Sequence, residues 1–416
     1  MRWLIKSATI VDPNSPLHGK KRDILIENGK ISDIKSKISD KKAKEISFPN
    51  LHVSPGWVDT RAHFADPGEE YKEGLQNGLD AAAAGGFTHV VSMPDTTPVV
   101  DSKGQLEYLL RRSDGHATRL CPAGALSQGS KGKQLAELYD MHCSGAVMFT
   151  DGHSTKRTEL MRRALEYTKT FGGVVASLPY DEDLSEKGNM HEGVTSTMNG
   201  LKAIPTMAET IRIMRDIELL RYTGGRLHFM LVSSAEGVNL IKRAKKEGLE
   251  VTCGVSVHHL MHTDEDLADF NSNLKVSPPF RSKTDRSALL KAVNDGTVDV
   301  ICSDHRPEDV EHKKLEFPQA NFGIGAIEDS FSVAMTAGVS PEQFVERTAH
   351  AGRKLIGLEA AAIQKDAEAD LTLFDPSLKH EVNKDHISLA YNNPYVGQEL
   401  TGKVFGVIRG EAAAIR

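Results

Sequence analysis

The chain has 416 residues, 39% of them hydrophobic and 26% charged, with a formal net charge of −6. That is enough apolar material for a sizeable core and more than one structural unit, and the absence of basic runs or aromatic–basic interleaving argues against a nucleic-acid partner. No apolar stretch reaches the ~18 residues of a membrane span. The start carries no long apolar signal-peptide core, and four scattered cysteines without CxxC spacing suit a reducing cytoplasm better than a disulfide framework.

The first predicted elements are short strands joined by turns. Residues 3–11 lead into the turn cluster Asp12-Pro-Asn-Ser-Pro16, and residues 23–34 form a hairpin around Asn28-Gly29, a strong two-residue turn signal. The end of the chain has the same character at 370–374 and 402–410. Both ends together predict one small β-sandwich domain from residues 1–54 and 369–416. Between them, strand-like runs at 56–63, 89–94, 118–126, 146–151, 173–179, 227–233, 250–256 and 298–304 alternate with amphipathic stretches such as 236–247 and 286–294. Eight such units predict an α/β fold, a (β/α)8 TIM barrel over residues 55–368. An open doubly wound sheet is the alternative, and the lack of Gly-x-Gly-x-x-Gly after an early strand counts against it.

Chemistry in such a barrel sits where the strands end. The polar strand ends here are Arg61, His63, Asp95, Asp151, His258, His259, Asp304 and His305. Singly, each has an ordinary structural reading, since a strand-end Asp often caps the next helix and a lone His is often a hydrogen-bonded core residue. Their joint placement is the signal. The segment 306–321, charged and poor in small apolar residues, is expected to be a mobile loop over the mouth.

The motifs resemble dihydroorotase of the multifunctional-complex type, in the amidohydrolase superfamily, over nearly the whole chain. Ser54-Pro-Gly-Trp-Val-Asp59 is similar to its first barrel strand, and Ser92-Met-Pro-Asp-Thr96 to Met-Pro-Asn-Thr. Asn189-Met-His-Glu-Gly193 resembles Met-(His/Asn)-Glu-Gly, Lys275-Val-Ser-Pro-Pro-Phe-Arg281 resembles Lys-x-Asn-Pro-Pro-Leu-Arg, and Ser303-Asp-His-Arg-Pro307 resembles Thr-Asp-His-Ala-Pro. The resemblance implies reversible hydrolysis of a cyclic amide, dihydroorotate to N-carbamoylaspartate, by a zinc-bound hydroxide. Zinc supplies that nucleophile by lowering the pKa of its water to about 7. The carboxylate at the Asp304 position would be the general base.

The chain departs from this pattern where metal would bind. Arg61 replaces the first histidine of His-x-His, while His63 keeps the second. Leu178 and Leu231 stand where the fifth and sixth strands offer histidines. Leucine has no donor atom, and guanidinium has no lone pair to give. At ~4 Å its charge would repel a divalent ion by several kcal/mol even at an effective dielectric of about 20. His63, Asp151 and Asp304 remain as residual candidates for at most one weakly bound ion, and no cofactor is expected. The substrate-pocket positions differ too: Ala65, Asp95, Ser277, Arg306 and Glu308 replace the family's residues, and Arg281 is kept.

Without metal, Asp59, Asp151 and Asp304 would crowd together uncompensated. Arg61, with Arg306, is expected to supply the missing charge through bidentate pairing, and Leu178 and Leu231 to fill the vacated space. Three functions stay open: a non-catalytic partner, by resemblance of aspartate transcarbamoylase; an active amidohydrolase with one metal; and a small-molecule binder or regulator. A homodimer is expected.

Overall fold

The computed structural model describes residues 2–416. Its first layer is an eight-stranded sheet drawn from both ends of the chain. The hairpin forms as Lys21–Glu27 and Lys30–Lys35, and its two turn residues, Asn28 and Gly29, have φ of 49° and 76°. Positive φ at both central positions is what a tight two-residue turn requires, and Asn-Gly meets it at little cost. The strand His52–Pro55 pairs antiparallel with Asp370–Glu381 and so joins the amino-terminal strands to the carboxy-terminal ones. Arg2–Ile10 pairs Lys44–Ile46 along its first half and His52–Pro55 along its second. Ile5, Ile24, Val53, Leu371 and Ile408 form the apolar core of this layer.

The middle of the chain is built on parallel strands: Trp57–Ala62, Phe87–Ser92 and Arg119–Leu120 in one sheet, and Val174–Ser177, Arg226–Phe229, Val251–Ser256 and Val300–Cys302 in another. Single parallel bridges link the two. Phe149 bridges Gly124 on one side and Val175 on the other, and Ala62 bridges His305. The expected strands at 118–126 and 146–151 are thus reduced to two residues and to a bridge. Pro122, which has no N–H to give the ladder, interrupts the first of them, and its neighbour loses a regular partner.

The helices follow their sequence signals. Ala235–Lys246 starts at Ser234, whose Oγ accepts from the Gly237 N–H at 3.0 Å, buries Val238, Ile241 and Ala244, and ends on Arg243, Lys245 and Lys246. Those charges suit the negative end of the helix. Lys283–Asp295 starts at Ser282 and stops at Gly296, which takes a left-handed φ of 80°. Among the described residues no helix is long and apolar enough to cross a membrane.

A candidate active site rebuilt around Arg61

Along these parallel strands and the segments that follow them, Val58, Val91, Met93, Met148, Leu178 and Leu231 belong to one apolar cluster. Leu178 is 8% exposed and Leu231 1%. Each such burial is worth about 1.5–3 kcal/mol, so these two side chains serve as packing.

Arg61, next to last in the strand Trp57–Ala62, has its side chain only 4% exposed. Its Nε donates to Asp304 Oδ1 at 2.8 Å. One terminal nitrogen faces the Met93 and Met230 sulfurs, both at 3.3 Å, and the other reaches the Gly152 carbonyl at 3.4 Å. Thioethers are weak acceptors, so the carboxylate is the one strong partner. Asp304 has a left-handed φ of 50°, a conformation that Asp tolerates better than most residues. Burial raises the Asp304 pKa, and the charge of Arg61 works against that rise.

The expected three-carboxylate pairing is corrected. Arg61 takes Asp304 alone, through a single Nε contact rather than a bidentate fork. Asp59 accepts from the Ser303 N–H at 3.0 Å, from the Ser303 hydroxyl and from the Arg61 N–H at 3.3 Å, and burial pushes its pKa up to about 6. Asp151 accepts from the N–H and Oγ of Ser127, both at 2.8 Å, with its pKa also raised by burial. Hydroxyl and backbone donors do the work assigned to guanidinium.

Arg306 lies elsewhere too. It donates to His63 Nε2 at 3.2 Å and to Asp95 Oδ2 at 3.4 Å. An Nε2 that accepts from arginine leaves the imidazole proton on Nδ1, which sits 3.3 Å from Asp95 Oδ1. Burial drives the His63 pKa well down, consistent with this neutral tautomer. The residual metal candidates His63, Asp151 and Asp304 therefore each have other partners. Among the described residues no three His, Cys, Asp or Glu side chains are grouped to hold a metal ion.

The remaining strand-end histidines are engaged in structure. His259 sits between Ser256 Oγ at 2.8 Å and the Pro278 carbonyl at 3.0 Å. His258 Nδ1 is 2.7 Å from the Tyr395 hydroxyl, and His305 Nε2 is 3.4 Å from Glu73.

A cavity of about 520 Å³ opens above Arg61 and Asp304, and Asp95, Ser277, Arg306 and Glu308 also line it. Ala65, half-buried with φ 55°, is not on this wall. Neither is Arg281, expected in the pocket; it is 3% exposed and donates to Ser233 Oγ at 3.0 Å and toward His191 and the Ile204 carbonyl. Sequence reasoning missed Ser154, Tyr180 and Phe322 in the lining. It also missed Lys72, whose Nζ lies 3.1 Å from Glu308 Oε2.

The expected mobile loop is also corrected. Lys275, 2% exposed, donates to the carbonyls of Phe317, Pro318 and Ala320 at 2.8, 3.1 and 2.8 Å. Lys313, fully buried, donates to the Asn321 carbonyl at 2.7 Å and toward the Lys275 carbonyl at 3.4 Å. Asn392 adds bonds to the carbonyls of Arg306 and Gly323, each at 2.9 Å. Backbone tied at this many points is a packed wall of the cavity.

Comparison with known proteins bears on this arrangement. The family model for Dihydro-orotase-like proteins matches residues 51–237. A dihydroorotase of Acetivibrio thermocellus is 38% identical over 97% of this chain and 96% of its own. One of Pelobacter propionicus is 38% identical over 98% of each. Among solved structures, an L-hydantoinase (dihydropyrimidinase) from Arthrobacter aurescens superposes with a TM-score of 0.85 over 99% of this chain and 96% of its own at 23% identity. A D-hydantoinase does so at 0.84 over 100% and 95%, at 22% identity. The last two likenesses establish the shared α/β fold, and the relatives establish more: the chain belongs to the dihydroorotase family.

Proposed function

We propose that this protein is a dihydroorotase homologue that does not perform zinc-dependent ring opening and acts as a non-catalytic partner in pyrimidine biosynthesis, in the cytoplasm. The reading takes residues 55–368 as a (β/α)8 barrel and residues 1–54 with 369–416 as a β-sandwich domain. One observation carries it: Arg61 Nε lies 2.8 Å from Asp304 Oδ1, so the family's general-base position is held by a buried cation. A zinc pair does not fit these residues. Arg61, Leu178 and Leu231 offer no lone pair, and the guanidinium lies where its charge opposes a divalent ion. Asp304 is then a vestige of the base.

The partner by resemblance is aspartate transcarbamoylase, and the protein is expected to form a homodimer. Metal content after chelator-free purification, paired with dihydroorotate turnover in added zinc, tests the loss of activity. The expected result is substoichiometric zinc and no turnover above a protein-free control. Turnover that tracks bound zinc would restore the one-metal enzyme. Co-expression with an aspartate transcarbamoylase tests the partner: a stable complex in gel filtration is expected, and separate elution of the two proteins removes that part of the reading.

A further inference from the structure

The helix Met207–Thr223 is apolar on two faces. Its inner face buries Ile213, Ile217 and Leu220, and the helix packs beside Thr158–Lys169 and Ala235–Lys246. Its outer face carries Met207, Ile211, Met214 and Tyr222, which are 54, 42, 45 and 79% exposed. At about 100° per residue these four, together with Glu218, fall on one stripe of the helix. The charged residues between Met207 and Met214 are Glu209 and Arg212, and both are buried, so the stripe is unbroken there. One apolar face is enough to pack a helix on its neighbours. A second one, ordered at helical spacing and left open, marks a surface that another chain covers.

The charges at the two ends of the stripe select the occupant. Past Met214 it reaches Glu218, exposed and paired with the exposed Arg221. Ahead of Met207 the chain enters from Lys202, exposed and paired with Glu186 at 2.8 Å. Exposed pairs of this kind are weak and can exchange partners. Two copies of the stripe side by side in parallel would set Glu218 against Glu218. Antiparallel, they set the Glu218 end of each copy against the Lys202 end of the other. The same arrangement puts Ile211 beside its own copy and Met207 beside Met214, whose unbranched side chains adapt readily to a facing surface. A patch that complements itself in this way suits a two-fold contact.

We propose that the outer face of Met207–Thr223 is a two-fold interface between copies of this chain, with Ile211 beside the axis. The proposal deepens the homodimer expected above and rests on it.

Sedimentation velocity on the full chain should give a dimer at micromolar concentration. Ile211→Asp sets two carboxylates at the axis and should give a monomer with a cooperative thermal melt. A cross-linking test does not depend on weakening the dimer. In a Cys143→Ser background, which removes the exposed thiol, Ile211→Cys should yield a disulfide-linked dimer on mild oxidation. Tyr167→Cys, on the exposed face of the neighbouring helix, should not, because only a residue beside a two-fold axis meets its own copy. Glu218→Lys or Lys202→Glu alone should weaken the dimer about tenfold, each contact being made twice, and the two together should restore it. Charge reversals that fail to rescue each other overturn the antiparallel pairing. A dimer that survives Ile211→Asp, with no cross-link through Ile211→Cys, overturns the surface and leaves the homodimer standing. A monomeric unaltered chain overturns both. Zinc content and turnover are untouched by either result, so the catalytic reading stands or falls separately.

Discussion

Two walls of the same cavity bury cations in different ways. On the strand side, Arg61 is matched to one carboxylate, Asp304. On the loop side, Lys275 and Lys313 bond only to backbone carbonyls. The first arrangement compensates charge with charge. The second compensates it with dipoles, and burial accordingly pulls the Lys275 pKa down to about 8 and that of Lys313 to about 7. A carboxylate partner fixes a buried cation as a cation, whereas a ring of carbonyls leaves its protonation open near neutral pH.

The contrast breaks most sharply at Arg61. Arg61→Met leaves Asp304 buried without a countercharge, and removal of one partner from a buried pair costs about 3–5 kcal/mol. Urea unfolding should show that loss. Arg61→Met with Asp304→Asn should recover much of it, because the uncompensated charge is gone and asparagine tolerates the left-handed backbone at this position. A double variant as unstable as the single one would mean that Arg61 acts through Met93, Met230 and Gly152 rather than through Asp304.

The loop side should respond less. Lys275→Met leaves three carbonyls short of one donor each, although some can turn to water, for a loss of about 2–3 kcal/mol. The damage should be local. Limited proteolysis within residues 306–323 should speed up in Lys275→Met and hardly change in Arg61→Met. Equal protease sensitivity in both variants would erase the distinction between the walls.

Much of the strand side was legible in the sequence because it sits in motifs. Arg61, Leu178 and Leu231 could be named from position, and that a buried arginine seeks a carboxylate is elementary electrostatics. Which carboxylate was not legible. Asp59 is satisfied by Ser303, 244 residues away, and Asp151 by Ser127, 24 residues away; a serine hydroxyl carries no pattern that announces its acceptor. Arg281 was misplaced for the same reason, since Ser233 and His191 draw it away from the cavity only once the chain is folded. The loop was misread because charge and polarity were taken for mobility, while its anchors are carbonyl oxygens, which every residue has. The alternation of strands and helices carried the α/β fold, whereas the strand expected at 118–126 was drawn through Pro122 and its missing N–H was not weighed.

Lys313 sharpens the comparison most finely. Its two acceptors, unlike the three around Lys275, can be served by the two hydrogens of a neutral amine. Its folded-state pKa, about 7, lies below the ordinary lysine value of 10.5. Between those values the unfolded chain holds a proton that the native chain has shed. The unfolded state therefore binds more protons, and stability rises as pH increases from about 7, levelling off near the unfolded value. The slope from one such group is at most about 1.4 kcal/mol per pH unit. Arg61 cannot contribute to it, since guanidinium does not titrate in this range. Urea midpoints at pH 7 and pH 9 should separate more for the unaltered chain than for Lys313→Met, in which the slope from this site is gone and only a constant loss of the Asn321 and Lys275 carbonyl contacts remains. Parallel pH dependence in the two proteins would show that Lys313 stays an ammonium, held by its carbonyls as firmly as Arg61 is held by Asp304.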